Sequence, residues 1–597
     1  MGNQIPLAKY LFCRLHQLGV RSIHGVPSDF NLQALDYIKP AGLRWVGNAN
    51  ELNAGYAADG YARVKGISTL ITGFGVGELS AINAIGGAYS EMAPVVHVVG
   101  TPPRAAQDRG LCVHHSLGDG NCRVFAEIYQ KFTVAQANLT DPATAPAMID
   151  KTLRECIVQS RPVYIELPTD MVTVEVPESN LSQPIDLSIP ANDREFEEAV
   201  VTQILKKIYA AKQPFIVVDG FAARYGYSDE ANELVHATGF PTSTTCFGKG
   251  IVDETVANFH GVYAGSSGCQ EFDAWVRSCD LVLRLGPLDA DTNTYGFTTI
   301  PDPSIAINFH GSFVEIGDTD SGKSNHNLHV KSLLRLLLDR LDQSKLLQYG
   351  TYPSLRNPRK QRDSLLSPKA SGMVTQDTFW QRISSFFQPG DIILTETGTA
   401  SSGGGEFVLP PDTTLINSSI WLSIGHMLGA CAGGSLALRD MVSENLRPNG
   451  RTILFIGDGS LQMTAQAMSD MIRNRLDVII FVINNDGYAI ERLIHGMTES
   501  YNDVQPWRYL EAPSYFGAPK DDPRYPVITS RASNWGELSQ IINDRRFQQG
   551  SGFNMAEIVM AREDGPDTLK KLAAYMSKRN ASSNSLRICK EWHNECV

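Results

Sequence analysis

The sequence predicts an α/β protein built of three doubly wound parallel-sheet domains, and three observations lead there. Short β-branched runs bounded by glycine alternate with helical patterns along the chain, as in parallel sheets covered by helices. Two Pro- and Ser-rich stretches, about 176–194 and 348–374, interrupt that alternation and read as linkers. At 597 residues, 43% hydrophobic and 19% charged, the chain is long and apolar enough for several cores.

The expected strands of the first domain, 1–180, lie at 21–26, 68–74, 95–100 and 163–168. Those of the central domain, 195–345, lie at 215–220, 281–286 and 304–309. The last domain, 372–575, holds 392–399, 451–457, 478–484 and 555–561, and residues 576–597 read as a peripheral tail. No internal sequence repeat is visible by eye.

Composition excludes several functions. A net charge of −12 without a long basic run gives no footprint for nucleic acid. The longest apolar runs are strand-sized, well short of the roughly 20 residues that span a bilayer. Lys9, Arg14 and His16 interrupt the apolar positions of the first twenty residues, unlike a signal peptide. The ten cysteines are scattered without Cys-x-x-Cys pairs or histidines at zinc spacing, so reduced thiols in a cytoplasmic protein are expected.

Chemistry first shows at 451–460, where an apolar strand ends in Gly457-Asp-Gly-Ser460 and a helix is expected over 462–475. Such a turn aims backbone N–H groups and a helix dipole at one spot, which suits a phosphate. Alone it reads equally as a packing turn. The next strand ends in Asn484-Asn-Asp-Gly487, and in a parallel sheet both turns reach the carboxyl edge where ligands bind. Asp458, Asn485 and a carbonyl near Gly487 then offer three hard oxygen ligands to Mg²⁺, with water and phosphate completing the octahedron.

Gly457-Asp-Gly followed by Asn484-Asn485 resembles the diphosphate motif of thiamine-diphosphate enzymes. Gly25-Val-Pro-Ser-Asp-Phe30, Gly47-Asn-Ala-Asn-Glu-Leu-Asn53, Phe74-Gly-Val-Gly-Glu78, His114-His115 and Asn485-Asp-Gly-Tyr-Ala-Ile-Glu491 resemble pyruvate decarboxylase and its indolepyruvate and phenylpyruvate relatives, in order and spacing. The resemblance implies the thiamine-diphosphate-binding fold and non-oxidative decarboxylation of a 2-oxo acid, pyruvate foremost, to an aldehyde and CO2. It implies that Glu51 shares a proton with the aminopyrimidine, and that Asp29, His114, His115 and Glu491 move protons. Two carboxylates in one desolvated pocket repel when both ionised, so Asp29 and Glu491 are expected to keep one proton between them. It further implies that Thr399, Gly457, Gly459 and Ser460 meet the diphosphate, that the Leu422 carbonyl holds the 4′-amino group, that Ile424 wedges the cofactor into its bent form, and that Ile490 binds the cofactor. Each site would join the first domain of one subunit to the third of another, so a homodimer is the least and a homotetramer the usual assembly.

Several features depart from the family pattern. Leu422 stands where the family has glycine, and Ser402, in Ala400-Ser-Ser-Gly-Gly-Gly405, stands where pyruvate-specific members carry phenylalanine. Few changes are needed to move substrate choice, because one methylene in an apolar pocket discriminates by only about 1–3 kcal/mol. Phe221 and Met92 occupy the positions tied to substrate activation in some members, so that mechanism is not carried over. A decarboxylase preferring aromatic or branched 2-oxo acids such as phenylpyruvate or indolepyruvate, a carboligase and a cofactor-binding scaffold are the competing readings; the retained acids and histidines argue against the last two.

Overall fold

The computed structural model describes residues 3–318 and 322–581. It contains three main sheets. In the first, the strands run in the spatial order Arg44–Trp45, Ser22–Gly25, Ser68–Gly73, Val95–Thr101, Val163–Pro168 and Gln136–Asn138, all parallel. In the last, the order is Thr414–Ile416, Ile392–Thr395, Thr452–Gly457, Val478–Asn484, Phe553–Val559 and Val527–Ala532, again parallel. Numbered by chain position within each domain, both sheets read second, first, third, fourth, sixth, fifth. The repeat invisible in the sequence is therefore present as topology.

The central sheet departs from the purely parallel expectation. Its first five strands in spatial order are parallel, but Phe313–Asp318 pairs antiparallel with Ala306–Phe309, and Gly322–Asn327 pairs antiparallel with Phe313–Asp318 at the edge. His310, Gly311 and Ser312 leave room only for a tight hairpin, and a parallel return needs a crossover of a dozen residues or more.

The first and last domains meet inside one chain through the helices Glu51–Lys65 and His426–Ser443. Small residues let the backbones approach, and a Cβ on Gly433 would sit 1.8 Å from the Ala57 carbonyl oxygen. Buried charges lock the junction: Arg63 donates to Asp59 at 2.6 Å and to Glu91 at 2.7 Å, and His426 Nε2 lies 2.9 Å from Asp59. The expected tail begins inside a helix, Asp567–Ala581, whose Leu569, Leu572 and Ala573 are buried; residues 582–597 lie outside the described residues.

With the second strand in front of the first, the connection reverses direction between the first and third strands, which opens a crevice at their carboxyl ends. In the first domain those ends lead to Asp29 and Gly75; in the last they lead to Glu396–399 and Asp458.

Candidate active site

Strands Thr452–Gly457 and Val478–Asn484 pair in register, with Gly457 opposite Ile483, so their two following turns lie side by side. Asp458 is buried; its Oδ1 accepts from the Gly459 N–H and its Oδ2 from the Gly487 N–H, both at 2.9 Å. Burial, and then the nearby charge of Asp486, pushes the Asp458 carboxyl up to about 6. The buried Asn485 amide turns its oxygen towards acceptors only, namely Asp458 Oδ1 and the Gly487 carbonyl; with the amide reversed, its nitrogen would lie 3.3 and 3.1 Å from them. Turned with its oxygen inwards beside Asp458 Oδ1 and the Gly487 carbonyl, that amide would complete a three-oxygen donor set suited to a hard divalent cation.

The helix expected over 462–475 starts earlier, at Asp458, and ends at Met463; a second helix runs Ala467–Arg473. Thr464 breaks it, with φ −139°, and its hydroxyl donates to the Gly425 carbonyl at 2.7 Å. The early start puts Asp458, Gly459 and Ser460 in the first turn, where N–H groups have no partner within the helix and can face an anion.

Arg492, unremarked in the sequence, is wholly buried beneath the Asn484–487 turn. Its guanidinium donates to the Asn485 carbonyl at 3.1 Å, to the Asp486 carbonyl, and to Asp503 at 2.9 Å. A buried arginine serving backbone carbonyls shapes the turn that presents Asn485 and Gly487, and nothing in its sequence neighbourhood separates it from a solvated helix arginine.

Glu91 is the second residue that the sequence hides. Its Oε1 accepts from Ser418 Oγ and from the N–H groups of Ser419, Ile420 and Trp421, at 2.7–3.2 Å. That carboxylate fixes the segment leading to Leu422, whose φ of +54° is the left-handed conformation in which glycine is at ease. Leu422 holds it with its N–H on Ser418 Oγ at 2.9 Å. Ile424 and Ile490 are half-buried and Thr399 is buried at the start of the helix Thr399–Gly404. Thr397 Oγ1 beside it is buried without a partner, an orphaned hydroxyl facing the space where a cofactor would lie. Leu422 and Ile490 share a cavity with Thr397 and Gly398.

The first domain supplies a different cluster. Asp29 Oδ2 lies 2.6 Å from His114 Nε2, and one ligand-type atom from each of Asp29, His114 and His115 falls within 4.8 Å of the others. Phe30 stacks on the His114 ring at 4.8 Å between centroids. His115 has φ +66°, and its carbonyl oxygen would be 1.9 Å from a Cβ on Gly75, so only glycine fits there. Asp29 does not cap the helix that follows it: Asn31 precedes Leu32–Leu35 and accepts from the Ser28 N–H at 2.9 Å. Slight burial raises the Asp29 carboxyl, but hydrogen bonds from His114 and Ser28 and the charges of both histidines outweigh it and hold the group low.

Glu51 opens the helix Glu51–Lys65, half-buried, with Oε1 3.3 Å from where a Cβ on Gly77 would stand. Its turn is anchored by Asp470, which accepts from Asn48 Nδ2 at 3.0 Å and the Ala49 N–H at 2.9 Å. Glu491 is exposed in the first turn of Ala489–Ile494. The groups acting on Asp29 are His114, Ser28 and His115. Asp29 and Glu491 follow strands of different sheets.

Family models for the N-terminal, central and C-terminal domains of thiamine pyrophosphate enzymes match residues 5–120, 201–337 and 397–519. The chain is 46% identical to pyruvate decarboxylase of Aspergillus parasiticus, over 96% of this chain and 97% of the relative. The chain belongs to the pyruvate decarboxylase family. Other members with similarly complete overlap include the Aspergillus fumigatus pyruvate decarboxylase, 44% identical over 97% of this chain and 98% of the relative, and isozyme 3 of Saccharomyces cerevisiae, 40% identical over 97% and 100%. As a family member, the chain carries the two thiamine-diphosphate-binding domains on the two sheets of shared topology, with the cation-type donor set on the second.

Proposed function

We propose that this protein converts a 2-oxo acid, pyruvate foremost, to the aldehyde and CO2, using thiamine diphosphate held by Mg²⁺. The observation that carries the reading is the convergence of Asp458 Oδ1, the Asn485 side-chain amide and the Gly487 carbonyl at the foot of a phosphate-type helix start. Asp458, Asn485 and Gly487 would hold the cation, and Thr399, Gly457, Gly459 and Ser460 would hold the diphosphate. Bound there, the cofactor supplies a carbon that accepts the electron pair released when CO2 departs.

The protein's own residues orient and move protons. Glu51, in the first turn of its helix, would hold a proton against the aminopyrimidine ring nitrogen. The Leu422 carbonyl would accept from the 4′-amino group, Ile424 would bend the cofactor, and Ile490 would bind it. Asp29, His114, His115 and Glu491 would deliver a proton to the former keto carbon and remove one from the neighbouring hydroxyl.

The reading includes an assembly. The cavity beside Leu422 and Ile490 is lined wholly from the central and last domains, while the Asp29–His114 pair is left open, 52% and 59% exposed. A homodimer that lays the first domain of one chain over the last domain of its partner would bury that pair and bring Asp29 to Glu491; a homotetramer of two such dimers is the family's usual form. The exposed apolar side chains of Leu32, Val76 and Leu117 near the pair support this. Free thiols at Cys112, Cys122 and Cys156 support a cytoplasmic site of action.

The test is an aldehyde-release assay coupled to a dehydrogenase, with pyruvate and with Mg²⁺ and thiamine diphosphate supplied or withheld. Turnover that depends on both is expected; turnover indifferent to either overturns the reading. A carboligase would instead give condensed products by mass spectrometry.

A further inference from the structure

We propose that Asp29, His114 and His115 form a second metal site, of two imidazoles and one carboxylate, that takes Zn²⁺ or a similar late transition ion in preference to Mg²⁺ and stops turnover when filled. Binding stands on the cluster alone; the loss of turnover rests on the proton-moving roles given to these residues in the decarboxylase reading.

One ligand-type atom from each of the three residues falls within 4.8 Å of the other two. Ligands bonded to Zn²⁺ in a tetrahedron stand roughly 3.4 Å apart, so each pair has to move by little more than about an ångström. Asp29 Oδ2 and His114 Nε2 already meet at 2.6 Å, and the ion would take the place of the proton between them, which leaves to solvent. The two groups are 52% and 59% exposed, so an ion reaches them, and in an assembled protein the 2-oxo acid has to reach the same groups.

The surroundings hold the three side chains towards one another. Successive side chains of an extended chain point to opposite sides. His115 instead has φ +66°, and its ring comes to 4.7 Å from that of His114 between centroids. Its carbonyl packs against Gly75, where a Cβ would come within 1.9 Å, so the strained backbone is fixed from outside. Buried Phe30 stacks on the His114 ring at 4.8 Å and meets the His115 ring edge-on at 6.2 Å. Ser28 Oγ donates to Asp29 Oδ1 at 3.2 Å, which orients the carboxylate as hydrogen bonds behind metal ligands do and leaves Oδ2 for the ion.

The donor atoms decide which ion binds. Imidazole nitrogen suits Zn²⁺, Cu²⁺ and Ni²⁺, whereas Mg²⁺ takes oxygen and dehydrates reluctantly. Asp458, Asn485 and Gly487 offer oxygen, so the two halves of the chain would sort ions by chemistry. Three protein ligands leave a fourth position for water. An ion so held occupies the lone pairs with which these side chains would accept protons, and the cofactor half is left untouched.

The test titrates Zn²⁺, and Co²⁺ for its visible absorption, into the holoenzyme saturated with Mg²⁺ and thiamine diphosphate, and follows binding by calorimetry beside aldehyde release. About one ion per chain is expected, with turnover falling in step with occupancy. His115→Asn, whose side chain tolerates the left-handed backbone, should weaken Zn²⁺ binding by about a hundredfold or more; Asp29→Asn makes the same test should that variant fail to fold. Asp458→Ala should bind Zn²⁺ as the parent does, which separates this site from the Mg²⁺ cradle. Cys112→Ser should do so too, which separates it from the exposed thiol two residues before His114. Unchanged affinity in the His115 or Asp29 variant, or affinity lost with Asp458 or Cys112, overturns the site. Zn²⁺ that fills the site in those terms while turnover continues overturns the inhibition, and with it the proton-moving roles of the three residues. If no 2-oxo acid is turned over at all, the decarboxylase reading fails instead, and the binding arms still decide about the site.

Discussion

The two half-sites of this chain are built on sheets of the same topology and differ in almost everything else. The last domain offers a buried, preformed cradle: Asp458, Asn485 and Gly487 locked by backbone hydrogen bonds and by the buried Arg492. The first domain offers an open pair, Asp29 and His114, on loops at the sheet edge. Holding a cofactor calls for fixed oxygens and N–H groups, which backbone turns provide. In the proposed function, moving protons calls for side chains whose environment would change on binding substrate and a partner chain, and Asp29 and His114 stand exposed.

The comparison breaks first at Asp458. Asp458→Ala removes one of the three proposed cation ligands and should abolish tight retention of Mg²⁺ and thiamine diphosphate, with activity falling about a thousandfold; titration calorimetry beside the aldehyde assay separates the two losses. Glu51→Gln, in the other half, should cost turnover on a similar scale while the calorimetric affinity for the cofactor stays within a few fold. Equal loss of binding in both variants would erase the division of labour. His114→Gln should cost about a hundredfold or more in turnover, the usual worth of a positioned acid or base.

The fold was legible because burial on both faces leaves near-continuous runs such as Val478–Asn484, whereas Arg44–Trp45 and Gln136–Asn138 were missed as short edge strands with polar sequences. The candidate site was legible where function demands special backbone, in Gly457-Asp-Gly and Asn485-Asp-Gly. It was illegible at Glu91 and Arg492, whose charges are buried by residues far away in the chain. The helix break at Thr464 was likewise set by a distant partner, the Gly425 carbonyl. The meeting of the Gly457-Asp-Gly and Asn485-Asp-Gly turns at one sheet edge was legible as well, because successive parallel strands end on the same side.

A smaller effect sharpens the comparison from within the first domain. Glu78 is fully buried, its Oε1 accepting from the Gly75 N–H at 2.8 Å and its Oε2 from the Tyr164 hydroxyl at 2.7 Å. Burial pushes its carboxyl up to about 7 against hydrogen bonds that pull it down. The folded state then binds the proton more tightly than the unfolded state, so stability falls as pH rises from about 4.5 to 7 and stays low above. Glu78→Gln should remove on the order of 1–3 kcal/mol of that decline, read as a flatter melting temperature between pH 5 and 8. A slope unchanged from the parent protein would show that Glu78 is ionised throughout.

The division of one site between two chains is tested most directly by mixing two inactive variants. Glu51→Gln and Asp458→Ala chains, co-refolded or exchanged, form mixed dimers in which one site carries both lesions and the other carries neither. Recovery approaching about one quarter of parental aldehyde release is expected, because half the dimers are mixed and each holds one intact site. No recovery from verified mixed dimers would place Glu51 and Asp458 in the same chain's site and contradict the account.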